Sequence, residues 1–206
     1  MIDGRLQPSE QAIVEAVLDF WFETDTVPGF CEYRPIWFEV QDPAFDAEVG
    51  ERFLGTYEAA AAGSLDDLGA TPEGALALVV VLDQMPRNMF RRQARCYATD
   101  AKALDVAREA IARGFDAALA PLRRWFLYLP FEHSEALADQ HRAQTLFESL
   151  GDDPVHRQVV ASAREHLQVI RRFDRFPHRN KALGRETTTD EAAFLAALDH
   201  PHLSPG

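Results

Sequence analysis

The sequence predicts an all-α fold, and three observations support this prediction. Apolar residues recur at the three- and four-residue spacing of amphipathic helices through most of the chain. Roughly eight such segments are separated by short connections rich in proline and glycine, and none alternates in the manner of a half-buried strand. The 206 residues, 47% of them hydrophobic, are enough for a sizeable core. We therefore expect a single domain over residues 1–206, built from antiparallel helix pairs.

The first two helices carry recognisable start signals. Residues 9–23 place apolar side chains at helical spacing behind Ser9, the candidate N-cap. Asp42 and Pro43 supply the cap and the first-turn proline of a second helix, which we expect to run to Gly63. Its aromatic residues lie four apart, which is typical of a core face.

A run of eight apolar residues, 75–82, forms the predicted centre of the fold. It is much shorter than the roughly 20 residues that a membrane span needs. Its valines would suit a strand, but Thr71 and Pro72 supply a helix cap and a first-turn proline, so a buried central helix is favoured. Pro86 lacks a backbone N–H, and we expect it to end or kink this helix where the charged residues begin.

Similar signals predict the remaining helices. Their expected ranges are Thr99 to Gly114, Pro121 to Pro130, Ser134 to Leu150, 155–173, and Thr188 to Leu198, the last opening with a capping box that ends at Glu191. The tail, 199–206, is expected to fray.

Composition excludes several classes of protein. The net charge of −12 argues against nucleic-acid binding, because the phosphate backbone favours basic surfaces. No segment is long enough to span a membrane, and the N-terminus lacks the pattern of a signal peptide, so we expect a cytoplasmic protein. The two cysteines, Cys31 and Cys96, are far apart, which argues against a disulfide framework or a cysteine zinc site.

The charges are segregated along the chain. Residues 87–95 and 171–185 hold ten of the 21 basic residues and one of the 33 acidic residues, so they carry +9 while the rest of the chain carries −21. A concave basic spot on an acidic body is suited to a small anion. The alternative is that both stretches are solvated turns that form surface salt bridges. RNA binding through the two stretches is disfavoured by the acidic remainder.

Three segments together resemble a known family. They are LDQMPRNMFR at 82–91, YLPFEHSE at 128–135, and RFPHRN at 175–180 with LGR at 183–185. These segments resemble the signatures of the bacterial domain of unknown function 924, and the likeness extends over nearly the whole chain. The resemblance implies an all-helical, tetratricopeptide-like fold and no established activity. The chain departs from the family pattern at Met85, usually Phe, at Arg92, usually Gly, and in its C-terminal tail.

Each of the three segments joins a proline turn to polar residues at the end of a helix, where backbone groups are free to meet a ligand. If the three ends converge, they form a candidate ligand site from Asp83, Arg87, Asn88, Arg91, Tyr128, His133, Glu135, His178, Arg179 and Asn180. Arginines could clamp a carboxylate or phosphate, and a histidine could exchange a proton near neutral pH. The alternative is that these groups only satisfy one another. We further expect Asp83 to be buried and paired with an arginine.

Two classes of function stay open. The protein could bind a small anion, with His133 or His178 as the acid or base of a hydrolase or lyase. It could instead be a non-catalytic scaffold whose groove binds an acidic peptide or protein partner. We predict no metal site, because the ligand-type residues around His133 and His141 form no HExxH motif. The sequence identifies no cofactor, and His166, on an apolar helix face, is expected to be a core histidine.

Overall fold

The computed structural model describes residues 6–23, 33–151 and 154–197, whose regular secondary structure is helical and includes no strand. The predicted all-α fold is therefore confirmed. We number the helices of the described residues α1 to α8: α1 Pro8–Phe22, α2 Pro43–Ala61, α3 72–89, α4 Asp100–Ala112, α5 Pro121–His133, α6 Leu137–Glu148, α7 Pro154–Phe173 and α8 Thr189–Ala196.

Side-chain caps explain where several helices begin. Asp42 accepts a hydrogen bond from Ala44 N, and Thr188 forms the predicted capping box with Glu191. The predicted cap at Ser9 is wrong, because the N-cap lies two residues earlier and α1 begins at Pro8. Gln7 is its N-cap, and its backbone N–H donates to the Glu10 carboxylate.

α3 is the centre of the molecule, as the apolar run predicted. Its residues 74–86 are all buried, and the helix contacts α1, α2, α4 and α5. An aromatic group from α1 and α5 forms the adjacent core, in which the Phe126 ring meets both Trp21 and Phe22 edge-on. The polar residues that directly follow the apolar run of α3 are therefore attached to backbone in the protein interior.

Pro86 does not end α3, so of the two predicted outcomes, an end or a kink, the first is wrong. The helix passes from Pro72–Val79 through a π-helical segment, Val80–Gln84, into Met85–Met89. In the π segment Met85 N donates to Val80 O, a wider hydrogen-bonded turn that accommodates the proline. Pro86 cannot donate to Leu82 O, and Thr99 Oγ1 supplies that hydrogen bond at 2.6 Å.

The connection between α5 and α6 also differs from the prediction. α5 continues through Pro130 to His133, and α6 begins at Leu137 without Ser134 as its cap. Gln140 Nε2 instead satisfies free carbonyls at the end of α5, donating to Glu132 O at 2.6 Å and to Ser134 O at 2.7 Å. This fixes the end of α5 from which His133 projects.

Other expectations have mixed outcomes. His166 lies buried on α7, as expected, while Cys31 and the tail 199–206 fall outside the described residues. Arg92 has a φ of 64°, the left-handed conformation that glycine adopts without strain, and glycine is the residue expected there from the family pattern. None of the helices in the described ranges is both long and apolar enough to cross a membrane.

Candidate functional site

Asp83 lies at the centre of the candidate site, on the π segment of α3, and is fully buried. His133 Nδ1 lies 2.8 Å from its Oδ1 and 2.9 Å from its Oδ2, and Gln84 Nε2 donates to Oδ2 at 2.5 Å. Arg87 Nη1 lies 3.4 Å from Asp83 Oδ1 and also donates to the Asp83 backbone carbonyl. The prediction that Asp83 is buried and paired with an arginine is confirmed.

Asp100, the first residue of α4, joins arginines from two of the three sequence motifs. Arg87 binds it bidentately, at 2.9 Å to Oδ1 and 3.0 Å to Oδ2, and Arg179 Nη1 reaches Oδ2 at 3.2 Å. His133, from the remaining motif at 128–135, is bound to Asp83. The motifs at 82–91, 128–135 and 175–180 therefore meet in space, as predicted.

Arg179 is held between aromatic rings. Its guanidinium carbon lies 4.6 Å from the centroid of the Tyr97 ring and 4.6 Å from that of the Phe176 ring. Arg179 Nε is buried and has no hydrogen-bond partner among the described residues. We use the name central cluster for the side chains of Asp83, Arg87, Asp100, His133, His178 and Arg179.

The central cluster reaches the protein surface. The side chain of His133 is 14% exposed, that of Asp100 17% and that of Arg87 20%. His178 is also partly exposed, and its ring forms no hydrogen bond with another described residue. The charges of the central cluster are therefore mostly buried but in part accessible to solvent.

The charges of the central cluster decide how Asp83 and His133 ionise. Burial alone would raise the pKa of Asp83, but the Arg87 charge and the His133 hydrogen bond outweigh it and hold this pKa below its usual range. Burial, and then the Arg87 charge, lower the pKa of His133, although Asp83 opposes both. Asp83 is thus ionised and His133 neutral at neutral pH.

His178 and Arg179 show that the surroundings are poor in compensating negative charge. Burial, followed by the charges of Arg179, His166 and Arg87, lowers the pKa of His178 to about 2. Burial also lowers the pKa of Arg179, and the nearby Arg87 charge adds to this effect, although Asp100 opposes it. Arg87 differs, since Asp100 and Asp83 overcome its burial and raise its pKa.

A second buried carboxylate lies beside the central cluster. Glu132 Oε1 accepts a hydrogen bond from Ser162 Oγ at 2.8 Å and lies 2.9 Å from His166 Nδ1. Burial lowers the pKa of His166, but the Glu132 charge overcomes this and raises it above its ordinary value. Ser162 donates to the carboxylate rather than to the imidazole, so these residues are not arranged as a nucleophilic triad.

Two of the predicted ligand residues serve the loop that carries Arg179. Glu135 forms a bidentate ion pair with Arg185, at 2.8 and 3.0 Å, and accepts from Phe176 N at 2.8 Å. Asn180 accepts from Arg185 Nε at 3.0 Å and donates to Glu191 at 3.2 Å. Glu135 and Asn180 therefore position the loop, and their polar groups are already engaged.

Three further predicted residues bind elsewhere. Asn88 Nδ2 and Arg91 Nε donate to the Asp46 carboxylate of α2, at 2.7 and 2.5 Å. The Tyr128 hydroxyl donates to Asp116 at 2.8 Å. These three side chains are therefore engaged by carboxylates outside the central cluster.

Sequence reasoning missed Asp100 and Tyr97. Asp100 follows Thr99, and an acidic residue in the first turn of a helix is ordinary, so its pairing with Arg87 and Arg179 gave no distinct signal. Tyr97 lies in a short 3-10 turn, Ala94–Tyr97, without a periodic pattern. The excess of arginines over acids in the motifs was a usable hint, because buried arginines need carboxylates from elsewhere.

Comparisons with known proteins agree with the motifs. A family model described as bacterial protein of unknown function (DUF924) matches residues 17–199. The chain is also similar to a solved structure, that of a protein of unknown function from Agrobacterium tumefaciens. The two are 40% identical, the match covers 90% of this chain and 97% of that chain, and the TM-score is 0.78. No curated protein matches the chain. With most of its length matched by the family model, the chain belongs to the DUF924 family of bacterial proteins.

Proposed function

We propose that the protein binds a small molecule bearing a phosphate or carboxylate group at the central cluster. The observation that carries this proposal is Arg179, a buried guanidinium whose Nε has no hydrogen-bond partner among the described residues. A buried donor without a partner costs free energy, and a buried charge costs more. An anionic ligand would remove both costs.

The carboxylates already present compensate the two arginines unequally. Arg87 holds both oxygens of Asp100 and lies close to Asp83, whereas Arg179 makes a single 3.2 Å contact with the shared Asp100. This difference agrees with the opposite directions of their pKa shifts. Arg179 is therefore the cation for which a ligand anion is the best partner.

The surroundings of Arg179 suit selective binding. Tyr97 and Phe176 fix the guanidinium, so little conformational freedom remains to be lost when a ligand binds. His178 is neutral and keeps its ring nitrogens unengaged within the described structure, so one of them can donate to an anion. These features favour a small molecule over an extended acidic peptide.

A thermal-shift experiment with phosphorylated metabolites, nucleotides and dicarboxylates tests the proposal. A ligand at a hundredfold excess over its dissociation constant stabilises the native state by about 2.7 kcal/mol. Each kcal/mol raises the Tm of a protein of this size by roughly 2 to 4 °C. At least one compound should therefore raise the Tm by about 5 to 10 °C, and others of equal charge should not.

Matched variants locate the effect. Arg179→Lys keeps the positive charge but removes the guanidinium, and it should abolish the shift. Arg91→Lys makes the same change at the ion pair with Asp46, outside the central cluster, and should leave the shift intact. A wild-type protein that no compound stabilises selectively would contradict the proposal and favour the scaffold that binds an acidic partner. The same conclusion would follow if Arg179→Lys behaved like the wild type.

A further inference from the structure

The His133 imidazole has a fixed orientation of donor and acceptor. Its Nδ1 lies within 2.9 Å of both oxygens of the Asp83 carboxylate. An ionised carboxylate can only accept hydrogen bonds, so the proton of the neutral ring must be on Nδ1. Nε2 is then an acceptor, and it forms no hydrogen bond within the described residues.

The position and the charge of the Asp83 carboxylate are fixed before a ligand binds. It is fully buried, and Arg87 and Gln84 donate to the same carboxylate that holds His133. These donors keep it ionised, and His133 stays neutral beside the Arg87 charge. The ring therefore offers a lone pair to the site, whereas Arg179 offers N–H groups.

A continuous chain of contacts joins the two functional groups. Asp83 contacts both His133 and Arg87, and Asp100 contacts both Arg87 and Arg179, so two carboxylates and one guanidinium link the acceptor to the unpaired donor. The charges of Arg179 and Arg87 both act on the His178 ring. A ligand that engages both groups needs an anionic group and a neighbouring hydroxyl.

We infer that His133 Nε2 selects anions that still carry a proton, such as hydrogen phosphate or a phosphate monoester with a free P–OH, over anions that carry none. This inference rests on the proposed function and adds the class of ligand. A fully deprotonated oxyanion would face the Nε2 lone pair with its own lone pairs, which is repulsive. A P–OH group would donate a hydrogen bond to the same atom.

Inorganic phosphate and sulfate test the inference directly, because they are similar in size and tetrahedral shape. At neutral pH phosphate retains at least one O–H, and sulfate has none. Titration calorimetry at pH 7 should show that phosphate binds at least about tenfold more tightly, the difference that one hydrogen bond makes. If both anions bind equally, or if sulfate binds better, the inference fails and the proposed function stands. If neither anion binds, the inference fails, and the panel of organic anions decides the proposed function separately.

The variant Asp83→Asn should exchange the donor and acceptor nitrogens of the His133 ring with little change of shape. The amide nitrogen that it introduces can donate to Nδ1, which moves the ring proton to Nε2 and turns the acceptor into a donor. Phosphate should then lose its advantage over sulfate. Nitrogen-15 NMR of the wild-type imidazoles provides a test that does not depend on the variant folding. His133 should carry its proton on Nδ1, and a proton on Nε2 would overturn the inference.

Discussion

Asp83 is the side chain on which the central cluster depends. It is fully buried and binds His133, Arg87 and Gln84 at once. Its removal would leave Arg87 with less compensating charge and would leave His133 without a partner for Nδ1. The structure of the cluster is therefore expected to be sensitive to this one carboxylate.

We expect Asp83→Ala to lower the free energy of unfolding by about 3 to 5 kcal/mol, the usual effect of breaking a buried pair. Urea denaturation measures this change. Asp105→Ala is the control, since Asp105 pairs with Arg108 on the surface of α4 and should change stability by less than about 0.5 kcal/mol. A similar small effect at Asp83 would mean that its carboxylate is solvated.

His178 gives the protein a dependence on pH. In the folded state its pKa is about 2, whereas an unfolded histidine titrates near 6.5. Between these values the unfolded chain binds more protons, so the contribution of His178 to stability is complete above about pH 6.5 and is lost as the pH falls. His166 acts in the opposite direction, since its pKa is raised.

His178→Asn removes the first contribution and leaves the second. Between pH 6.5 and pH 5 the wild type should lose up to about 1.4 kcal/mol more per pH unit than this variant. Urea denaturation at several pH values measures the difference, and His141→Asn, at an exposed position on α6, should behave like the wild type. Identical pH profiles for the wild type and His178→Asn would show that His178 is freely solvated in the folded protein.

At the scale of single residues, the sequence predicted some partners and missed others. The burial of Asp83 and its pairing with an arginine were expected from its position at the end of an apolar run, and Arg87, four residues later, is that arginine. Asp100 is 79 residues from Arg179 in the sequence, and no local sequence pattern predicts a contact across that separation. Local rules predict neighbours along a helix, while tertiary packing decides the rest.

At the scale of secondary-structure elements, the π segment of α3 is the main departure from prediction. Proline usually ends a helix because it lacks a donor and its ring crowds the preceding turn. Here the wider turn makes room for the ring, and Thr99 supplies the hydrogen bond that Leu82 O would otherwise lack. The sequence could not predict this arrangement, because the compensating donor belongs to another helix.

A double-mutant cycle tests this explanation. Thr99→Val removes the donor with little change of shape, and it should cost about 1 to 3 kcal/mol by leaving a buried carbonyl unpaired. Pro86→Ala restores a backbone N–H within reach of Leu82 O, so the cost of Thr99→Val should be smaller in that background. Equal costs in the two backgrounds would show that the two donors do not serve the same carbonyl.

At the scale of the whole molecule, charge segregation along the chain does not persist in space. The stretches 87–95 and 171–185 carry +9 in the sequence. Six of their ten basic residues pair with carboxylates from other parts of the structure: Arg87, Arg91, Arg95, Arg175, Arg179 and Arg185. The net charge of a stretch therefore indicated where ion pairs between elements form, and among these six arginines only Arg179 has a buried donor left unpaired.

The fold was more predictable than the site. Helical periodicity and the caps at Asp42, Thr71 and Thr188 determine the all-α architecture from short-range pattern. The site depends on which polar groups are left without a hydrogen-bond partner after packing. Arg91 and Arg179 both lie in basic motifs and both form an ion pair, but only Arg179 of these two keeps a buried donor without a partner. The tetratricopeptide-like arrangement of the helices stays a prediction.

A crystal structure of the protein with phosphate would show whether a ligand anion supplies the partner that Arg179 lacks. We expect density for one phosphate within hydrogen-bond distance of Arg179 Nε, with an oxygen also facing His133 Nε2. Phosphate bound elsewhere, with Arg179 Nε paired to a protein group or to water alone, would show that Arg179 is not the anion site.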